Sequence, residues 1–262
     1  MKTEIIVLGC GNSTGVPAIG NIWGACDPDE PKNKRTRASI LVRTETTTLV
    51  IDTGPDFREQ MNRENIRTIN AALITHAHSD HINGIDELRG IAYTNKSIVP
   101  IYGNAWTIRQ LDERWRYIFH GGTDDGLYPP VSKAHIIDTF GKPMKIGDIE
   151  FIPFEQDHGS VKTIGYRFGD FAYSTDMSGL DEAAIAALRG IKTWIVDAAG
   201  YKQTNNKVHA NLENIYALNE RIQAEQVWLT SLTLAMDYKT LNEELKIGYK
   251  PAHDGMRINI NI

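Results

Sequence analysis

The chain has 262 residues, 41% of them hydrophobic and 23% charged, and a formal charge of -5. That size and balance fit one large domain, residues 1–262, with a core of its own, and they exclude a fibrous repeat or a wholly disordered chain. The acidic total excludes a surface given over entirely to nucleic acid.

In chain order, short β-rich apolar runs at 4–8, 39–42, 48–51 and 71–75 read as strands. Helical spacing appears at 57–65, 82–91 and 106–117. Residues 120–130 form a long loop-like stretch, read either as the rim of a site or as a solvated connector. Strands are predicted again at 149–154, 163–168, 171–174, 193–196 and 226–230. Helices fall between them, the clearest at 181–189, closed by Gly190, and 212–222, opened by Asn211 as N-cap. Strands interleaved with helices predict a layered α/β or α+β fold.

Cys10 and Cys26 are the two cysteines. They are too few for a disulfide framework or a four-cysteine zinc site, and both read as reduced thiols. No apolar run approaches the roughly 20 residues that span a bilayer. Residues 1–15 carry Glu4 and early glycines where a signal peptide has its apolar stretch, so a cytoplasmic protein without a membrane partner is expected.

The most informative segment is Thr75-His76-Ala77-His78-Ser79-Asp80-His81, which follows a predicted strand and precedes a helix. At a strand end, alternate side chains point one way, so His76 and His78 can converge on one ion while Asp80 and His81 face another. Imidazole and carboxylate suit Zn²⁺ or Mn²⁺, and ions about 3.5 to 4 Å apart clamp both oxygens of a hydrolysis. A lone His-x-His is weak evidence. Two further donors in strand-end contexts strengthen it: His158 in Gln156-Asp157-His158-Gly159 and Asp176 in Tyr173-Ser174-Thr175-Asp176.

With Ile51-Asp52-Thr53-Gly54, these motifs resemble the metallo-β-lactamase superfamily over nearly the whole chain. The opening Leu8-Gly9-Cys10-Gly11-Asn12-Ser13-Thr14-Gly15-Val16-Pro17, then Trp23-Gly24 and Cys26-Asp27-Pro28, and the late Pro251-Ala252-His253-Asp254-Gly255-Met256 are similar to its phosphoribosyl 1,2-cyclic phosphate phosphodiesterase branch. The resemblance implies an α+β fold, a four-layer αββα sandwich with the metals at one edge of the sheets. It assigns His76, His78 and His158 to one divalent ion, Asp80 and His81 to a second, and Asp176 as the bridge. Asp52 becomes an orienting partner of a ligand imidazole, against the alternative of a turn carboxylate before Gly54. His209, in Val208-His209-Ala210-Asn211, matches a histidine placed to protonate the leaving group, with Asp80 the other catalytic position.

The branch also places a last metal histidine after strand 226–230, where this chain reads Ser231-Leu232-Thr233-Leu234-Ala235-Met236-Asp237. A neutral Thr233 or Ser231 hydroxyl is a poor substitute for imidazole, Thr233 or Leu234 is the place to restore a histidine, and the second ion, Mn or Zn, is expected to be weakly held or missing. Water or His253 can be imagined as rescue. Some relatives bind a structural zinc through several cysteines. Cys26, with Asn21 and Trp23 near it, supplies too few donors, so no structural zinc is expected. The glycine-rich 9–15 stretch lacks the Gly-Lys-Ser/Thr ending of a phosphate loop and reads as a tight turn beside the site. Lys34, Arg35 and Arg37 are either a steering patch for an anion or solvated charges, and Trp23 either stacks on a base or sugar or packs.

The expected activity is hydrolysis of a small cyclic ribose or nucleotide phosphate by a hydroxide held between the ions, with His209 as proton donor. No stable nucleic-acid partner is expected, and a homodimer is allowed. The alternatives are a nucleotide-binding protein whose turnover is weakened or lost with the missing histidine, and a lactam, lactone or thioester hydrolase of the same fold. A tRNA 3′-end endonuclease would need an RNA-gripping arm and a more basic surface than this sequence offers.

Overall fold

The computed structural model describes residues 2–122 and 127–261. Within them the chain builds two seven-stranded sheets. The first takes β1 (Lys2–Gly9), β2 (Ser39–Arg43), β3 (Thr48–Ile51), β4 (Ala71–Leu73), β5 (Val99–Gly103) and β6 (Ser132–Ile136) side by side in chain order. The second runs likewise through β7 (Met144–Ile146), β8 (Ile149–His158), β9 (Val161–Phe168), β10 (Phe171–Ser174), β11 (Thr193–Asp197), β12 (Gln226–Thr230) and β13 (Tyr249–Pro251). The last strand, β14 (Arg257–Asn261), returns to the first sheet beside β1.

Each sheet changes direction midway. β3 pairs antiparallel with β2 and parallel with β4. In the second sheet, β10 pairs antiparallel with β9 and parallel with β11. Parallel neighbours require crossovers. Helices supply these on the first sheet: α1 (Phe57–Arg63), α2 (Ser79–Ile82), α3 (Leu88–Asn95), α4 (Ala105–Arg114) and α5 (Arg116–His120). On the second they are α6 (Glu182–Leu188), α7 (Leu212–Ile222) and α8 (Tyr238–Glu244). Open α/β sheets leave a crevice beyond the carboxyl ends of strands at such a switch, and the metal-competent side chains gather there.

The two-residue period of β1 sorts its side chains between two cores. Ile5 and Val7 join Ile40, Val42, Phe151, Tyr166 and Ile195 between the sheets. Ile6 and Leu8 face Leu41, Val50 and the helix residues Phe57, Leu88 and Leu111. Strands covered on both faces need apolar residues at every position, which is why 4–8 reads as an unbroken run. The layers are helices, sheet, sheet, helices: the expected αββα sandwich.

The boundaries differ from the sequence reading at instructive places. The helix expected at 82–91 is broken, because a Cβ at Gly84 would meet the Gly54 carbonyl at 2.1 Å and the Gly84 N–H is drawn to Thr53 O at 2.8 Å. The 106–117 helix divides at Trp115 into α4 and α5. Asn211 does cap α7, in a capping box with Asn214. The unread elements β5, β6, β7, β13, β14 and α8 are short. Of the 120–130 stretch, 123–126 lie outside the described residues. Its flanks Gly122, Tyr128 and Pro129 border a separate cleft with Arg89 and Tyr93, and do not line the histidine cluster.

Candidate metal centre

β4 delivers the chain to the switch edge, where His76 is fully buried and His81, on α2, is 1% exposed. The ring centres of His76 and His78 are 4.4 Å apart, and so are those of His76 and His81. His158, the last residue of β8, lies 5.1 Å from the His78 ring centre. Asp176 follows β10 with φ 46°, a left-handed turn that brings its carboxylate among the histidines. Its Oδ2 is 3.7 Å from His76 Nε2, 3.4 Å from His81 Nε2 and 3.6 Å from His158 Nε2. His81 Nε2 is also 3.3 Å from Asp80 Oδ2. Among the described residues three donor groups share Asp176: His76, His78 and His158 with it in one, Asp80 and His81 with it in a second, and Asp197 and His209 with it in a third, where Asp197 is committed to His209.

The surrounding hydrogen bonds fix which ring nitrogen each histidine presents. Asp52 is buried at the end of β3 and accepts from Thr75 N at 2.8 Å, from Thr75 Oγ1 at 2.8 Å and from His81 Nδ1 at 2.7 Å. Since the one Thr75 hydroxyl proton goes to Asp52, Thr75 Oγ1 accepts from His76 Nδ1, 3.0 Å away. His158 Nδ1 donates to Val208 O at 2.6 Å. Each of these rings therefore turns Nε2 toward the cluster, as outer partners of metal ligands do. Burial, with the neighbouring imidazoles, holds His76 well below the usual histidine range. It is a neutral ligand with a lone pair. Burial alone would raise Asp176, but His81 outweighs it and the carboxyl stays well below its ordinary value.

The residues fit a metal on a test independent of any family. His76 Nε2 is buried and has no hydrogen-bond partner, although it lies among imidazoles and a carboxylate. An orphaned buried nitrogen is costly; a cation at the four-donor group would satisfy it.

A second aspartate goes unnoticed in the sequence. Asp197 closes β11 as Asp52 follows β3, each behind a four-residue apolar run, Thr193-Trp194-Ile195-Val196 and Thr48-Leu49-Val50-Ile51. Its Oδ2 lies 2.7 Å from His209 Nδ1 and accepts from Met177 N at 2.9 Å, while Oδ1 accepts from Ala199 N at 2.9 Å. Burial would lower His209, but the hydrogen bond to Asp197 prevails and its pKa is pushed up to about 9. Asn206 Oδ1 accepts from Val208 N and His209 N, so the loop holding His209 is tied both to Asp197 and to His158. The apolar strand ending in a carboxylate was the signal available.

In the loop after β12, Ser231 rather than Thr233 or Leu234 touches Asp176. Ser231 has φ 56°, is 1% exposed, and its Oγ is 3.1 Å from Thr175 Oγ1 and 3.4 Å from Asp176 Oδ1. Thr233 stands at the rim, where its hydroxyl accepts from Ala235 N, and the Leu234 carbonyl accepts from Ala25 N. His253 is no rescue: its Nδ1 bonds to Asp254 O and its ring lies by Tyr238, outside all three donor groups.

Nor do the basic residues steer toward the site. Arg35 is 2% exposed and donates to Asn33 Oδ1 and Thr233 O, so it braces the 231–237 loop. Arg37 pairs with Asp56 at 3.1 Å. Lys34 is exposed and does not line the cleft. Trp23 is half-buried and likewise absent from the cleft wall. The Cys26 thiol lies against the Thr233 and Leu234 carbonyls, and among the described residues no donor group includes a cysteine. The 9–15 stretch does turn beside the site: Gly15 N bonds to Asn12 O, and Asn12 and Ser13 line the cleft.

Residues 47–230, more than half of the chain, match the beta-lactamase superfamily domain. An octanoyltransferase of Porphyromonas gingivalis is 30% identical over 199 residues, 76% of this chain and 39% of that one. A ribonuclease Z of Methanopyrus kandleri is 26% identical over 145 residues, 52% of this chain and 45% of its own. The chain thus spans less than half the length of either curated relative. The crystal structure of a diphosphatase from the PhnP family superposes with a TM-score of 0.89 at 32% identity, covering 99% of this chain and 98% of that one. On this match, and on a fold shared from end to end, the chain belongs to the metallo-β-lactamase superfamily, on the branch that resembles the PhnP family.

Proposed function

We propose that the chain is a metal-dependent phosphodiesterase acting on a small cyclic ribose or nucleotide phosphate, with two divalent ions, Mn²⁺ or Zn²⁺, in the first two donor groups. The observation that carries this reading is that His209, backed by Asp197, opens onto the same cleft as the donors. A proton donor and a metal-competent cluster face one space. The cleft measures about 360 Å³, the size of a site for a small molecule. The diphosphatase and ribonuclease Z relatives support hydrolysis at phosphorus, because the names of both describe it.

When bound, such ions lower the pKa of water toward neutrality and offset charge on a phosphoryl group. The chain's own side chains do the rest. Asp52 holds His81 directly and His76 through Thr75, so one carboxylate orients ligands of both groups. Asp197 accepts from His209 Nδ1 and leaves Nε2 to deliver a proton to the departing oxygen. Asn12 and Ser13 offer polar side chains to the bound ester. No lysine or arginine lines the cleft among the described residues, so an anionic substrate depends on the cations for attraction as well as for chemistry. The rival reading, a nucleotide-binding protein of weakened turnover, rests on Ser231 alone.

The test is an assay of the purified protein against an aryl phosphodiester, a β-lactam and a thioester, before and after chelation and metal return. We expect diester cleavage that chelation abolishes and Mn²⁺ or Zn²⁺ restores. Turnover of the lactam or thioester without the diester would reject the proposal.

A further inference from the structure

The two oxygens of Asp176 have different surroundings. Oδ2 meets His76, His81 and His158, whereas Oδ1 meets the hydroxyls of Thr175 at 3.2 Å and Ser231 at 3.4 Å. The Ser231 hydroxyl is in turn 3.1 Å from Thr175 Oγ1. It is engaged within the protein. It is also neutral, a poor ligand beside an imidazole or carboxylate. The group of Asp80, His81 and Asp176 is therefore one protein donor poorer than its neighbour, and the residue after β12 that touches the shared Asp176 is Ser231.

Charge sharpens the asymmetry. A first divalent ion is balanced by Asp80 and Asp176, the two carboxylates of the combined donor groups other than Asp197, which is committed to His209. A second ion adds positive charge that no further carboxylate in the cleft wall offsets. An anion bound beside it supplies both the missing donor and the missing charge.

Resting on the phosphodiesterase reading, we propose that Ser231 leaves the Asp80, His81 and Asp176 half-site incomplete, so that the protein alone holds one ion firmly and takes up the second together with a phosphate-bearing ligand. The substrate then helps assemble the centre that cleaves it. Ser231 lines the cleft, and the left-handed backbone at 231 is a conformation in which histidine is enriched over most residues. Ser231→His is thus the change that would complete the half-site from the protein side.

The test is calorimetric Mn²⁺ titration of the chelator-treated, full-length protein, with and without inorganic phosphate. For the wild type without phosphate we expect a second ion at least about tenfold weaker than the first, since even outer partners of a metal ligand are worth about 10- to 100-fold. Phosphate should tighten that second ion by at least tenfold. In S231H the second ion should bind tightly without phosphate, and in S231A its affinity should stay within about threefold of wild type. Two ions of like affinity in phosphate-free wild type would overturn the proposal, as would a second affinity that phosphate leaves unmoved. A tenfold loss in S231A would make the hydroxyl a ligand and overturn it too. Those outcomes leave diester cleavage standing; wild-type protein that binds neither Mn²⁺ nor Zn²⁺ removes the phosphodiesterase reading itself.

Discussion

The two halves of the donor cluster share Asp176 and are otherwise built differently. One half draws His76 and His78 from the turn after β4 and His158 from the end of β8, so both sheets contribute. The other has Asp80 and His81 from the short helix α2, and where the second sheet offers its side chain it presents Ser231. A site assembled across two sheets depends on every strand end arriving with a competent side chain, and a single substitution at one end weakens one half while leaving its neighbour intact.

Mutations can break or sharpen this contrast, and the largest effect should come from the shared residue. Asp176→Asn should cost both ions, with diester cleavage falling further than the about 10- to 100-fold that outer partners cost; metal analysis and the rate assay check it. His209→Gln should leave both affinities within a few-fold and lower cleavage about 10²- to 10⁴-fold for an alkyl leaving group. An aryl ester, whose leaving group needs no proton, should be nearly spared. Asp52→Asn should loosen both ions about 10- to 100-fold, because it orients His81 directly and His76 through Thr75. Thr75→Val should loosen mainly the ion of the four-donor half, a difference that Mn²⁺ titration resolves.

The smallest effect concerns the loop that carries Ser231. Asp237 ends that loop. Burial would raise its carboxyl, but the N–H groups of Thr240 and Asp27 and the Asn33 amide prevail and hold it below the ordinary 3.8. A folded value below the unfolded one gives stability that is complete above about pH 4 and is lost as pH falls toward the folded value. Asp237→Asn should therefore lower Tm at neutral pH, leave it near the wild-type value at the most acid pH, and so flatten the profile between them, as thermal melts across pH would show.

Much of the cluster was legible because its donors are dense in sequence: His76, His78, Asp80 and His81 fall within one turn and its helix. His158 and Asp176 were readable as donors where a strand gives way to a loop. Asp197 was not, since a carboxylate after an apolar run has many ordinary uses and only the fold brings His209 to it, 12 residues on. Which of the Ser231 and Thr233 hydroxyls meets the donors could not be read for a related reason. The left-handed turn at Ser231 decides which side chain of the loop faces inward, and no pattern of residue types specifies that turn. Arg35 looked like surface charge beside Lys34 and Arg37 until the fold placed it under the 231–237 loop. The edge strand β6 stayed unread because it is largely exposed beyond Ser132 and so carries little of the apolar signal that marks β1 or β11.

Anomalous diffraction from crystals grown with Mn²⁺ tests the central claim most directly. The account predicts a strong peak bounded by His76, His78, His158 and Asp176, with a weaker one beside Asp80 and His81 that strengthens when phosphate is added. Density free of any peak among these side chains, in protein that still cleaves a phosphodiester, would contradict it.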